Sequence, residues 1–342
     1  MEPNTATGQG RRLLDRVAIG LLIGVVAVSV GGVALLTVYF NRLDDAVDGL
    51  QREQPLPSYE GRPTAVAVDG VSAVNYLLMT TQDDGTLEAV VIAHLSASRR
   101  DLSLIALPSD LLADNGSQLT TLADSFAQSP LLTARAVEHL TGARMDHQAR
   151  VDLDGFGRVV DSLGGITMDS QTLDGDQLVA YLDKAPSALE RSVRTADLLR
   201  AALARASLSV VIADPNRFDK VMDALTPCLT VDSELTSDEI RETMVESRVR
   251  ANDVTIWPLP PTSNADGAVA EPAALDQLRV ALATDEFVSL APTSSVRRAS
   301  PAPSSATVAA TASASVGGSS STSPTGNPQS RIGMTPSPSS SR

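Results

Sequence analysis

From Val17 to Phe40 the chain reads VAIGLLIGVVAVSVGGVALLTVYF, without one charged side chain. As a helix rising about 1.5 Å per residue, this run is long enough to cross a hydrocarbon core of about 30 Å with some tilt. It exceeds the apolar region of a secretion signal, and no small-residue cleavage site follows it. Arg11, Arg12 and Arg16 precede it, and Asp44, Asp45 and Asp48 follow. The positive-inside rule then keeps residues 1–16 in the cytoplasm, makes 17–40 a transmembrane helix and places everything after Phe40 outside. The expectation is a single-pass protein of the cell membrane, with Tyr39 at the outer interface. Gly20 and Gly24 form a GxxxG pair through which two such helices could dimerise.

Charge narrows the partners. Twenty-seven Lys and Arg against forty-one Asp and Glu leave a formal charge of −14, the wrong sign for a surface that must neutralise phosphates along a nucleic acid. One cysteine, Cys228, excludes an intrachain disulfide framework and a multi-cysteine zinc site. His94, His139 and His147 show no metal-binding spacing.

Composition divides the remainder. Residues 41–63 are polar and punctuated by Pro55, Pro57 and Pro63, which reads as an extracytoplasmic stalk. Residues 291–342 hold no Asp or Glu and are mostly Ser, Ala, Thr and Pro, too little apolar surface to offset the entropy of ordering, so a disordered tail is expected. Its arginines, 297, 298, 331 and 342, make it basic. Between them, 64–290 reads as one α/β domain. Strands are expected at 65–68, 74–79, 89–95, 102–107, 149–153, 166–168 and 254–257. Helices are expected at 131–141, 156–163, 177–182, 189–206, 218–225, 237–248 and 275–284. The run AVVIAHL at 89–95 is nearly all apolar, as in a strand covered on both faces. The mixed order predicts a three-layer α/β sandwich with a central mixed sheet.

Several stretches then carry a resemblance. The most specific is LTGARMDHQARVDLDGFGRVVDSLGGITMD at 140–169, followed by LDGDQLVAY at 173–181 and ERSVRTADLLRAAL at 190–203. Upstream, in order, stand NYLLM at 75–79, EAVVIAHL at 88–95 and SLIALPSD at 103–110. Together these resemble the LytR–CpsA–Psr family of membrane-anchored envelope proteins. That resemblance implies a domain that moves a glycan from a polyprenyl pyrophosphate carrier to a cell-wall acceptor. It implies arginines on the pyrophosphate, acidic residues on Mg²⁺ and an apolar cavity for the prenyl chain. Forked guanidinium groups and a hard cation would offset charge on the phosphate oxygens. Carried onto this chain, Arg191, Arg194 and Asp110 would serve catalysis, and Glu88 and Asp110 would hold the metal.

The chain departs from the family pattern where that chemistry resides. Gln82 stands where an acidic residue is expected, with Asp83 and Asp84 beside it. Thr86-Leu87-Glu88-Ala89 lacks the arginine of its motif and lengthens the aspartate to Glu88. Pro108-Ser109-Asp110 keeps the acid and loses the arginine, and Leu182-Asp183 follows Tyr181 where a basic residue is usual. Without those three cationic groups, each worth about 1.5–3 kcal/mol, pyrophosphate binding is weaker by orders of magnitude. Arg191 and Arg194 survive, one turn apart on one face of a helix capped by Ser187 and Glu190. Other candidates read as structural. His147 precedes a strand, His94 is a satisfied core imidazole, Cys228 is a small buried hydrophobe, and Gly164-Gly165 stops a helix. Asp161 faces solvent or pairs with Arg158. The expected function is a membrane-anchored envelope protein that binds or scaffolds polyprenyl-linked or wall glycans with a degraded transferase site. An active phosphotransferase and a regulatory or adhesive surface protein are the alternatives.

Overall fold

The computed structural model describes residues 42, 44–206, 214–287 and 297–298. The expected membrane span and almost all of the Ser/Pro tail lie outside the described residues. Among the described residues no helix is long and apolar enough to cross a membrane.

The centre is an eight-stranded mixed sheet. Its strands are β1 (Gln51–Glu53), β2 (Val74–Thr81), β3 (Leu87–Leu95), β4 (Leu102–Leu107), β5 (His147–Asp152), β6 (Leu229–Asp232), β7 (Val254–Pro258) and β8 (Arg297–Arg298), in the spatial order β1-β6-β5-β2-β3-β4-β7-β8. β2, β3 and β4 form an antiparallel meander, while β5 joins β2 and β7 joins β4 in parallel. Every residue of β3 is buried, including Glu88 and His94, which interrupt its otherwise apolar run.

Side-chain alternation assigns each strand residue to a layer. Leu77, Met79, Val90, Ile92, Ile105 and Leu107 face one way. They meet α1 (Leu122–Gln128), α2 (Pro130–Thr141) and α8 (Pro272–Thr284) through Leu122, Phe126, Val137, Leu278 and Leu282. Val91, Ala93, Leu104 and Ala106 face the other way onto Val193 and Ala196 of α5 (Ala188–Ala206). Three layers result, the mixed α/β architecture that the pattern of elements predicts.

A satellite core collects α3 (Leu153–Ser162), α4 (Gly175–Asp183), the distal part of α5 and α6 (Pro215–Leu225) around Phe156, Val160, Leu178, Leu198 and Val221. α3 and α4 cross so closely at Gly157 and Gly175 that a Cβ on Gly175 would lie 2.5 Å from the Gly157 carbonyl oxygen. Asp152 caps α3 by accepting from the Gly155 N–H at 2.9 Å. Gly164 and Gly165, at φ +77° and +86°, end the same helix, as the sequence predicts. Asp161 is exposed, but its carboxylate is not idle: it accepts from the Gly175 N–H at 2.9 Å.

The stretch read as a stalk takes part in the domain. β1 extends the sheet beside β6, and Val47, Leu50 and Leu56 are buried. Arg62 reaches the buried carboxylate of Glu138 in α2 at 3.0 Å, where Tyr59 also donates at 2.7 Å. α7 (Ser237–Glu246) completes this edge, its Glu239 accepting from His147. Strand β6 and helix α1 go beyond the sequence-based expectation, both being too short to leave a clear periodic signal.

Candidate functional site

β2, β4, β5 and β7 end at one end of the sheet and β3 begins there. Residues 44–50 also enter at this end, since β1 runs from it antiparallel to β2. The N-terminal half of α5 lies across it. Ser187 opens the helix by accepting from the Glu190 N–H at 3.1 Å. Only half of the expected box forms, because the Glu190 carboxylate turns instead to Arg194 Nε at 3.3 Å. Ser192, wholly buried, donates to the Leu107 carbonyl at 2.7 Å and pins α5 to the end of β4.

Arg191 and Glu88 meet as an ion pair joining α5 to β3. A β-bulge aims Glu88 there. The β2–β3 register runs Thr80↔Ala89 and then Thr81↔Leu87, leaving Glu88 without a cross-strand partner. Leu87 stays in the α1/α2 layer, while the extra residue turns Glu88 towards α5. Glu88 is 5% exposed, and a buried carboxylate of this kind needs a cation. Arg191 keeps a second donor, Nε, buried and without a partner among the described residues. The Thr80 hydroxyl is likewise buried and unpaired.

Arg194 turns the other way. It donates to the Tyr181 carbonyl at 2.6 Å, and its guanidinium lies 4.6 Å above the Tyr181 ring. Tyr181 donates to Asp169 at 3.1 Å. Burial first, and then that hydrogen bond, hold the Tyr181 hydroxyl above its ordinary pKa. Asp110, beyond the end of β4, is exposed and forms no side-chain hydrogen bond or ion pair among the described residues. The structure thus joins Glu88 to Arg191 and sets Arg194 one turn further along, whereas Asp110 shares no hydrogen bond or ion pair with any of them.

Sequence reasoning missed a second acidic group. Asp83 follows β2 and Asp154 opens α3, which places the two carboxyls side by side. The nearness of Asp83 raises the Asp154 pKa, aided by desolvation and by Asp152 and Asp183 nearby. Asp84 instead accepts from the Thr86 N–H at 2.9 Å, and its Thr86 hydrogen bonds hold its pKa below the usual carboxylate value. No periodic signal links Asp83 to Asp154, because only the parallel β2–β5 pairing brings them together. Of the residues that the resemblance assigns to the cation, Glu88 is paired with Arg191, and Asp110 makes no side-chain hydrogen bond or ion pair among the described residues. Among the described residues no three His, Cys, Asp or Glu side chains converge as a metal site.

The remaining candidates are structural as read. His94 lies between Asn75 Oδ1 and Asp285 Oδ1, both at 2.7 Å. His147 lies between Asp232 at 3.2 Å and Glu239 at 2.9 Å. Burial pushes the Cys228 thiol up to about 11, far from a reactive thiolate.

Fold and site together define an α/β sandwich with an arginine-bearing helix laid across the C-terminal ends of its parallel strands. The LytR_cpsA_psr family model matches residues 62–172. A probable cell wall biosynthesis protein of Corynebacterium glutamicum, LcpB, is 24% identical over 251 residues, covering 63% of this chain. The match spans 60% of that relative's length. Two solved structures share the fold, each at 17% identity and TM-score 0.51. One is Bacillus subtilis TagV, covering 62% of this chain and 97% of TagV. The other is B. subtilis TagT bound to LIIa-WTA, covering 68% of this chain and 96% of TagT. Residues 62–172 thus match the LytR–CpsA–Psr family, and the rest of the domain shares its fold with the two solved structures.

Proposed function

We propose that this protein works at the cell envelope, anchored by residues 17–40, and binds a wall glycopolymer or its polyprenyl-phosphate-linked precursor with little transferase activity. Support for the envelope role comes from the family, from a relative named for cell wall biosynthesis and from a fold shared with a protein that binds LIIa-WTA. The observation that carries the weak-transfer reading is the employment of both surviving arginines. Arg191 is neutralised by Glu88, and Arg194 is held by Glu190 and Tyr181. Neither is poised as a free bidentate clamp, and the other arginines of the motif are absent from the sequence. The chemistry left to the chain's own residues is orientation: Arg191 stands part-exposed at the sheet end where a phosphate would approach, Arg194 braces the Tyr181 turn beside it, and Ser192 fixes the helix that carries both.

The unpaired Arg191 Nε favours a second reading, in which the pyrophosphate completes the site and transfer proceeds. The full chain in detergent, given a polyprenyl-pyrophosphate glycan and Mg²⁺, separates the two. Binding without turnover, weakened by Arg194→Ala, is expected. Turnover that Arg194→Ala abolishes would establish the phosphotransferase, and failure to bind would remove the glycan reading altogether.

A further inference from the structure

We infer that Glu88 is an internal substitute for the ligand's anionic group and sets the anion affinity of the Arg191 site. This rests on the reading of that end of the sheet as the anion site.

Three observations converge. The bulge opposite Thr81 removes Glu88 from the β ladder, so its orientation is set by the local backbone and not by cross-strand pairing. The carboxylate it delivers is almost fully buried, yet the Arg191 side chain it meets is 28% exposed. A solvent-borne anion can therefore reach the guanidinium but finds it already neutralised. Arg191 also retains a buried Nε–H that Glu88 does not use. Glu88 meets Nη1, whereas the two parallel donors that Nε forms with Nη2 lie on the guanidinium's other edge. A pyrophosphate, with more acceptor oxygens than one carboxylate, can take that edge and Nη1 together only by displacing Glu88. The cost of that displacement appears as a weaker apparent affinity. Glu88 does not behave as a cation ligand in this arrangement: its charge is spent on Arg191, and among the described residues no second and third donor stand beside it.

Replacing Glu88 by glutamine keeps the side chain's length and its hydrogen bond to Arg191 while removing the competing charge. The full-length protein in detergent is titrated with inorganic pyrophosphate by calorimetry, without added metal. E88Q is expected to bind about ten- to hundredfold more tightly than the natural chain, the worth of one charged hydrogen bond no longer forfeited. The double variant E88Q/R191A should lose that gain, which ties the effect to this pair. Glu88→Asp, one methylene shorter and still charged, should fall between. It also serves as the folded comparison should E88Q prove unstable by circular dichroism. If the natural chain binds and neither E88Q nor Glu88→Asp binds more tightly, the inference about Glu88 is overturned while the site reading stands. If no variant binds pyrophosphate or the polyprenyl-linked glycan, both are overturned together.

Discussion

Glu138→Ala should be among the most damaging single substitutions in this chain. Glu138 sits in the last turn of α2, where the helix dipole disfavours a carboxylate, and it is 2% exposed. Its position is tolerable because it accepts from Tyr59 Oη at 2.7 Å, Arg62 Nε at 3.0 Å and the Met145 N–H at 2.9 Å. Arg62 also donates to the Met145 carbonyl at 2.7 Å. Alanine leaves a part-buried guanidinium without its counter-charge and a buried N–H without an acceptor, for a loss of about 3–5 kcal/mol. That is a large fraction of the stability of a typical domain, about 5–15 kcal/mol. Urea unfolding followed through Trp257, the chain's single tryptophan, buried in the α1/α2 layer, reads the change directly. With a slope of about 1–3 kcal/mol per molar, the midpoint should fall by at least about 1 M. Glu138→Gln, which keeps the shape and loses the charge, should lose less. The double variant E138M/R62M should recover part of the loss, because removing both charges removes the unpaired one. A loss below about 1 kcal/mol for Glu138→Ala would refute the reasoning and show that residues 56–62 are not held by this carboxylate.

Further outcomes follow from other contacts. Burial alone would lower the His147 pKa, but hydrogen bonds to Asp232 and Glu239 raise it above its ordinary 6.5. Its stabilisation is therefore complete below pH 6.5 and is lost as pH rises through the raised folded value. The stability gap between the natural chain and His147→Asn, measured by urea unfolding, should narrow over that rise; a gap that widens would be the wrong sign. Gly175→Ala drives a methyl group into the Gly157 backbone and should cost about 1–3 kcal/mol in the same assay. Thr80→Val removes a buried hydroxyl that has no partner among the described residues. It should be neutral or stabilising by up to about 1 kcal/mol, whereas a comparable loss would reveal a partner for that oxygen.

Legibility in the sequence follows the strength of the local signal. β4 emerges with the boundaries read from alternation, and α5 begins one residue before its expected start. Both bury a long, periodic apolar face. β1 has no such face: its three residues are Gln, Arg and Glu, so nothing local separates an edge strand from a polar linker. Arg191 and Arg194 share a helix face as their spacing requires, but spacing could not say that one turns to Glu88 and the other to Tyr181. Those directions depend on a bulge, which is a property of two strands in register and not of either strand alone. Glu88 read as a metal ligand by its place in a motif, and its actual neighbour lies 103 residues away.

Both margins of the main sheet are finished by very short strands that lie outside 64–290: β1 beside β6 and β8 beside β7. Backbone N–H and C=O groups along the outer sides of β6 and β7 would otherwise be open to pairing with a neighbouring molecule. A protein trimmed to 64–290 would keep Glu88, Arg191 and Arg194 yet carry two adhesive borders, and it would also lack Val47, Leu50 and Leu56 from its interior. Self-association of such a fragment would then reflect the trimming and say nothing about the natural oligomer.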